Sequence, residues 1–539
     1  MKWIFLRIPA AVLLCLFAAA PALNLLHAQG IYIQPGASLT VQSGAAIVTT
    51  GTAGLTLRST SAGTGSLIDY NASGGITVAG TTSAERYIGN DNGWHFLSTP
   101  LSGADIWPDF APAPTGTPLN FGASGWKWDL YYWNPNCLTS TGYLPWVNLR
   151  KANGDYNDAA VEAAGNDAGF GTLPGDNKAE FQAGRGYLAA YAPEYSGTTH
   201  TFTGSLNFGS KSVAVSLPSN PWNLVGNPYP SAVDWQAPSG WSRSGLITSG
   251  SGYDMWIFNP ATGNYGVCNS ASGDGTNDVS RYIAPMQAFF VEASSAFNLG
   301  MTSAVQVHST QAWLKSSEEA DNQLQLKLTT QANSYSDEMI VAVNRAFADG
   351  GSEKFWSIVD EAPELCAVRG DKFYSIDRLP SVDETSTVTI RVRAGVASTY
   401  TLTAVGANRF YTAKTVILDD LKTGGSQELK VNPVYTFTAS PADPPERLRL
   451  RFAGPYSTGD PGAQPGFSVR VSGHAIGLVS TTAAGLEGTA ALYNILGQKM
   501  LSLPLSGHST VLNIDGPAGY YILTVTASSR VTTRKVFVE

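Results

Sequence analysis

The sequence predicts an all-β, multi-domain protein, and three observations carry that expectation. Strand-like runs with period-2 alternation recur along the chain, whereas strong helical periodicity is scarce. Gly 56 and Pro 30 punctuate these runs, and aromatic residues reach 11%. Charged residues are only 14%, well under the usual quarter or so. At 539 residues the chain should divide into several domains.

Residues 1–28 read as a signal peptide. Lys2 and Arg7 supply the positive region, Ala10 to Ala20 the apolar region, and Leu26-His27-Ala28 before Gln29 a cleavage site, with Ala20-Pro21-Ala22 as competitor. Cys15 follows Leu13-Leu14, where a lipoprotein site would want a small residue, so no lipid anchor is expected. No later run approaches the roughly 20 apolar residues of a membrane helix, so no transmembrane segment is expected after signal removal.

Residues 29–83 predict short stacked strands. Ile31 to Ile33, Ser38 to Val41, Ala46 to Val48, Leu55 to Leu57, Ser66 to Ile68 and Ile76 to Val78 are each followed by Gly, Ser or Asn turns. That pattern suits about three β-solenoid-like rungs, too few to stand without a capping neighbour. Residues 84–310 form an aromatic-rich β module, with Trp94, Trp107, Trp126, Trp128, Trp133 and Trp146 close together. Residues 311–452 predict a β-sandwich or jelly-roll-like domain. Its strands include Leu324 to Leu328, Met339 to Val343, Thr387 to Val392, Thr399 to Thr403, Thr415 to Leu418, Tyr435 to Thr438 and Arg447 to Phe452. Several alternate polar and apolar, so one face should be solvated. Residues 453–466, rich in Gly, Pro, Ser and Asp, read as a linker.

Residues 467–539 predict a small Ig-like domain. From Tyr520 to Thr526 the residues alternate, with Tyr521, Leu523 and Val525 on one face. Pro517 and Gly519 mark the start of that strand, Val531 to Val538 forms another, and Gly497 closes a third at a turn. This tail carries "LYNILGQKM", "PAGYYILTV" and a closing "KVFV". With these motifs it resembles the type A C-terminal sorting domain of type IX secretion in Gram-negative bacteria. Many such tails open with Asn-Pro, whereas this region reads Pro461-Gly-Ala-Gln-Pro-Gly-Phe467. The resemblance assigns the sorting signal to Gly497, Gly516, Pro517, Gly519, Tyr521, Lys535, Val536 and Val538. It implies export across the outer membrane to the cell surface. Its implied partners are the secretion machinery, a sortase-like peptidase that removes the tail, and surface lipopolysaccharide. Upstream, "NPWNLVGNPYPSAVDW" and "YDMWIFNPATGNYG" resemble a module of large surface proteins that carry such tails. "VILDDLKTG" and "RLRLRF" resemble the domain that commonly precedes them.

The sequence carries no strong catalytic motif. The chain has no G-x-S-x-G elbow, no HExxH, no P-loop and no Rossmann fingerprint. Cys137, Cys268 and Cys366 fit no CxxC or zinc framework, though Cys137 and Cys268 could pair in an oxidising compartment. The six His show no ligand spacing. The pairs Asp337-Glu338, Glu361 with Glu364, and Asp419-Asp420 read as turns and solvated edges rather than glycosidase acids. Two acidic loops, with Asp155 and Asp158 in one and Asp274 and Asp278 in the other, are weighed as calcium loops. Neither has EF-hand spacing, and Asx turns are the simpler account. Trp126, Trp128 and Trp133 are candidates for stacking on a sugar, against core packing as the simpler account. The net charge of −8 argues against nucleic acid. The expectation is a secreted surface protein without cofactor or catalysis that serves adhesion or glycan contact. The alternatives are a polysaccharide-acting enzyme and a structural stalk or surface-layer component.

Overall fold

In the computed structural model the residues described are 30–89, 93–106, 109–110, 128–135, 145–148, 180–192, 198–218, 220–273, 275–309, 321–345, 347, 350–453, 467–472, 474–480, 487–494, 497–527 and 530–538. Among them the regular secondary structure is strand, apart from two short 3-10 turns, with turns and irregular segments between.

The N-terminal strands stack as a parallel solenoid. Gly30–Ile33, Gly54–Leu57 and Thr82–Tyr87 form one face in register, with Ile31 beside Leu55 and Leu55 beside Thr82. Ser38–Val41 lies on Ser66–Asp69, and Ile47–Val48 on Ile76–Thr77. Ile33, Leu55, Leu57, Leu67 and Ala84 make the buried apolar stripe. The cap comes from the central module. Thr199–Thr203 pairs antiparallel with Thr82–Tyr87, so Phe202 meets Ala84 and the last rung has no open edge there. His308 clips the second face, with its ring nitrogens 2.8 Å from Ser66 Oγ and 2.7 Å from Thr40 Oγ1.

The central module is a set of small antiparallel sheets. One orders His95–Leu97, Tyr187–Tyr191, Trp128–Trp133 and Trp146–Asn148. Another joins Trp222–Gly226, Ala288–Glu292, Gly252–Asn259 and Asn264–Asn269. A third joins Lys211–Val215, Phe297–Met301 and Trp241–Ser242.

Residues 323–453 form one continuous eleven-stranded sheet. It is rolled until its inward side chains make a single core, so opposite halves face each other as in a sandwich. The roll is closed by side chains. Tyr435 Oη donates to Asp420 Oδ2 (2.8 Å), Arg447 Nη1 to the Thr438 carbonyl (2.6 Å), and Gln427 Nε2 to the Val434 carbonyl (2.9 Å). One pair is parallel, Ser336–Val343 with Lys372–Leu379.

The central module and the rolled sheet share a core. Phe96, Trp256, Phe258, Tyr265 and Phe290 pack with Ile340, Ala342 and Ile376. Trp256 Nε1 donates to the Glu353 carbonyl (2.9 Å), and Asn264 Nδ2 donates to the carbonyls of Ser336 (3.0 Å) and Pro363 (2.8 Å).

The tail is a separate sandwich. A three-stranded sheet (Phe467–Ser472, Ala475–Ser480, Ser509–Asn513) faces a four-stranded one (Lys499–Leu505, Gly488–Tyr493, Gly519–Ala527, Arg530–Val538). Tyr521, Leu523 and Val525 point into its core, as their parity predicts.

Candidate functional site

Of the candidate stacking tryptophans, Trp128 and Trp133 form no surface platform and follow the simpler account of core packing. Trp128 is 2% exposed within the core beneath the solenoid. Trp133 packs edge-on against Trp146 (4.9 Å between centroids) and Phe290 (4.8 Å), and its Nε1 donates to the Trp222 carbonyl (2.7 Å). Both fill space between sheets, which is what aromatic mass does in a β core. Trp126, Asp155, Asp158, Asp274 and Cys137 lie outside the described residues. Asp278 does sit in a left-handed turn (φ 63), beside Asn277 (φ 49). The two residues are held to the rolled sheet. Asn277 N donates to Glu338 Oε2 (2.8 Å) and its Nδ2 to Asp337 Oδ1 (2.8 Å). Burial, with the nearby Glu338 charge, pushes the Asp278 carboxyl up. No cluster of three metal-ligating side chains occurs among the described residues.

Of the acidic pairs, Glu361 is exposed at a turn, as expected, but Glu364, Asp337-Glu338 and Asp419-Asp420 are buried rather than at solvated edges. Asp337 and Glu338 lie inside Ser336–Val343, and both are buried. Asp337 Oδ2 accepts from Lys354 Nζ (2.6 Å) and Leu365 N (2.6 Å), with neither charged side chain exposed (0%/0%). Glu338 meets Lys327 Nζ (2.9 Å) and Gln325 Nε2 (2.8 Å). Asp420 is bound by Arg447 (2.8 Å), while Asp419 takes Arg449 (3.1 Å) and Arg451 (2.6 Å). Each carboxylate is buried because it has a cation and hydrogen-bond donors, the condition under which burial is tolerated. No water-accessible pair of acids results. Cys366 is also unsuited to attack a substrate, because burial pushes its thiol up to about 12.

The tail residues take defined structural places. Gly497, at φ 79, ends a turn in which its N donates to the Asn494 carbonyl (3.0 Å). Tyr521 Oη donates to the Pro517 carbonyl (2.7 Å), tying the strand to the chain just before it, as a tyrosine corner does. A Cβ on Gly516 would sit 2.7 Å from that hydroxyl, so the glycine leaves room for the corner. Gly519 begins the strand, while Val536 and Val538 are buried in the tail core. Lys535 Nζ lies 3.9 Å above the Tyr520 ring, and Phe537 packs edge-on to Tyr520 at 5.1 Å. Tyr520 and Phe537 are half exposed.

A feature that sequence reasoning missed lies at the seam between central module and rolled sheet. Trp356 is 39% exposed, whereas its neighbour Phe355 packs against Tyr265 (4.4 Å) and Trp222 (4.5 Å). Consecutive residues of an extended chain point to opposite sides, so anchoring Phe355 directs Trp356 outward. That adjacency was the available signal. The indole is held in place on several sides. Phe373 meets it edge-on at 5.1 Å, and the Arg391 guanidinium lies 5.6 Å from its centroid and 5.4 Å from Phe373. Ser357, the next residue, donates its N to Glu364 Oε1 (2.8 Å) and its Oγ to the Gly263 carbonyl. Arg393 Nε donates to the other Glu364 oxygen (2.6 Å). An exposed aromatic face, fixed beforehand and ringed by polar groups, can stack on the C–H face of a sugar at little entropic cost. A concavity of about 380 Å³ lies over Gly300 between Ser212 and Ser242. It is a trough left by small side chains on one sheet.

No curated protein matches the chain. Among solved structures, a biofilm-associated protein's BSP domain aligns over 84% of this chain and 91% of its own, at 8% identity. The TM-score is 0.12, too low to indicate a shared fold. A family model, Domain of unknown function (DUF8693), matches residues 20–452, most of the chain, and the protein belongs to that family.

Proposed function

We propose that this protein is exported to the cell surface and contacts glycan there without catalysing a reaction. The observation that carries the binding half is the pre-fixed, exposed Trp356 with Phe373 and Arg391 beside it. The export half rests on the tail. Its "PAGYYILTV" and "KVFV" motifs lie on adjacent paired strands, with Tyr521 opposite Val536, and the upstream strands make a body that the tail could carry.

A glycan array probed with the mature protein and with Trp356→Ala tests the first half. Binding that the substitution abolishes is expected, and a flat array with unaltered cell adhesion would sink the reading. Sugar release from mixed polysaccharides, abolished by one Asp or Glu substitution, would overturn the non-catalytic part. Surface display of a chain lacking residues 465–539 tests the export half, and normal display would refute it.

A further inference from the structure

We infer that the glycan taken at Trp356 is acidic, with its carboxylate or sulfate ester paired to Arg391. This inference rests on the glycan reading above and adds the charge of the ligand.

The argument comes from where charge is left over. Four arginines point outward from adjacent strands of the rolled sheet. Arg391 and Arg393 lie on Thr387–Arg393, and Arg449 and Arg451 on Glu446–Ala453. Their inward neighbours Val388, Ile390, Val392, Leu448, Leu450 and Phe452 fill the core, which fixes the parity. Three of the four guanidinium groups are committed: Arg393 to Glu364 (2.6 Å), and Arg449 (3.1 Å) and Arg451 (2.6 Å) to Asp419. Arg391 enters no ion pair among the described residues, and its buried Nε has no hydrogen-bond acceptor. The carboxylates nearby do not serve it. Glu446 stands opposite it across the ladder without pairing, Glu364 is taken by Arg393, and Glu353 is taken by Lys372 (2.7 Å) on the strand that carries Phe373.

A guanidinium held by the Trp356 and Phe373 rings but without an ion pair among the described residues thus lies 5.6 Å from the centroid of the exposed indole. That separation suits one pyranose ring stacked on Trp356 with an acid group turned toward Arg391. A guanidinium is a strong partner for an oxyanion because its planar fork matches two oxygens at once. The protein's net charge of −8 repels polyanions at a distance. Any preference for an acidic polymer must therefore arise from a local contact of this kind.

The test measures binding of the full mature chain to polygalacturonate, dextran sulfate and neutral dextran. The wild type should bind at least one acidic polymer more tightly than dextran, and the one preferred identifies carboxylate or sulfate ester. That preference should fall as salt is raised. Arg391→Gln should weaken acidic binding about tenfold or more and leave dextran binding unchanged, with Arg391→Lys intermediate. Trp356→Ala should weaken all binding. If dextran binds as well as the acidic polymers and Arg391→Gln changes nothing, the acidic assignment is overturned while the glycan reading stands. If none of the three binds, both fall. Thermal melts check that the variants fold, and the wild-type salt titration decides the question even if an arginine variant does not.

Discussion

Replacing Lys354 with methionine is the sharpest test of how the two largest modules are joined. Asp337 and Lys354 are both fully buried and 2.6 Å apart. The carboxylate also accepts from Asn277 Nδ2 (2.8 Å), Glu338 N (2.9 Å) and Leu365 N (2.6 Å), so the pair anchors the central module's Asn277 loop to the rolled sheet. Lys354→Met keeps most of the side-chain volume and removes the cation. Breaking a buried pair in this way costs about 3–5 kcal/mol, because the remaining charge is dry and unpaired. For a unit of this size that is roughly a 6–20 °C fall in Tm. The cost should depend on pH. Burial already pushes the Asp337 carboxyl up, so its share of stability is fully present below the ordinary carboxylate pKa and is lost as pH rises through the raised value. Without Lys354 that value rises further, and the variant should be closer to wild type at pH 5 than at pH 7.5. Removing both charges with Asp337→Asn should recover part of the loss. Urea unfolding followed by tryptophan fluorescence reads the transition, since Trp256 hydrogen-bonds to Glu353 beside Lys354. A Lys354→Met variant within about 1 kcal/mol of wild type at pH 7.5 would refute a dry, paired seam.

Other expectations follow from the same contacts. Burial, aided by the Glu353 charge, pushes Glu292 up to about 7. Its stabilising share is complete below the ordinary glutamate pKa and is lost as pH rises through about 7, so Glu292→Gln should flatten the stability profile between pH 5 and 7.5. At Asp420 burial opposes ionisation, but the Arg447 and Tyr435 hydrogen bonds prevail and hold the carboxyl at about 2. Its contribution is present above the ordinary aspartate pKa and lost as pH falls through about 2, so Asp420→Asn should destabilise the rolled sheet by about 3–5 kcal/mol at pH 7, read by urea melts. Tyr521→Phe removes the bond to Pro517 and should cost the tail about 1 kcal/mol by calorimetry, with the body's transition unmoved.

Much of the fold was legible from local pattern. Ser38–Val41 takes its expected bounds, and the strands around Leu324, Thr399 and Tyr520 extend the expected runs by a residue or a few at their ends. Alternation and turn residues are properties of the local chain, so they survive in the sequence. The strands Gly350–Glu353, Glu364–Arg369 and Lys372–Leu379 were not legible. They bury Ser352, Glu364, Ser375, Asp377 and Arg378, which interrupt any apolar period. Arg378 is buried because Ser249 (2.9 Å) and Ser352 (2.8 Å) accept from it, and Ser249 lies 129 positions away in the chain. Glu364 and the pairs Asp337-Glu338 and Asp419-Asp420 were misread as solvated edges for the same reason. The partner that makes burial tolerable belongs to another strand.

The sequence by itself determined an all-β architecture, the stacked strands of the N-terminal segment, and which side of each alternating strand faces a core. These follow from side-chain period and turn chemistry, which act between near neighbours. Only the tertiary structure decided that the solenoid is closed by Thr199–Thr203, that the central module and the rolled sheet share one aromatic core, and that Trp128 belongs to the core beneath the solenoid while Trp133 packs against the shared one. It also decided that, among the described residues, Trp356 is a tryptophan left facing water, beside an arginine without an ion pair. Burial and charge balance depend on which distant segments meet. An aromatic residue carries the same local signal whether it ends as core or as platform.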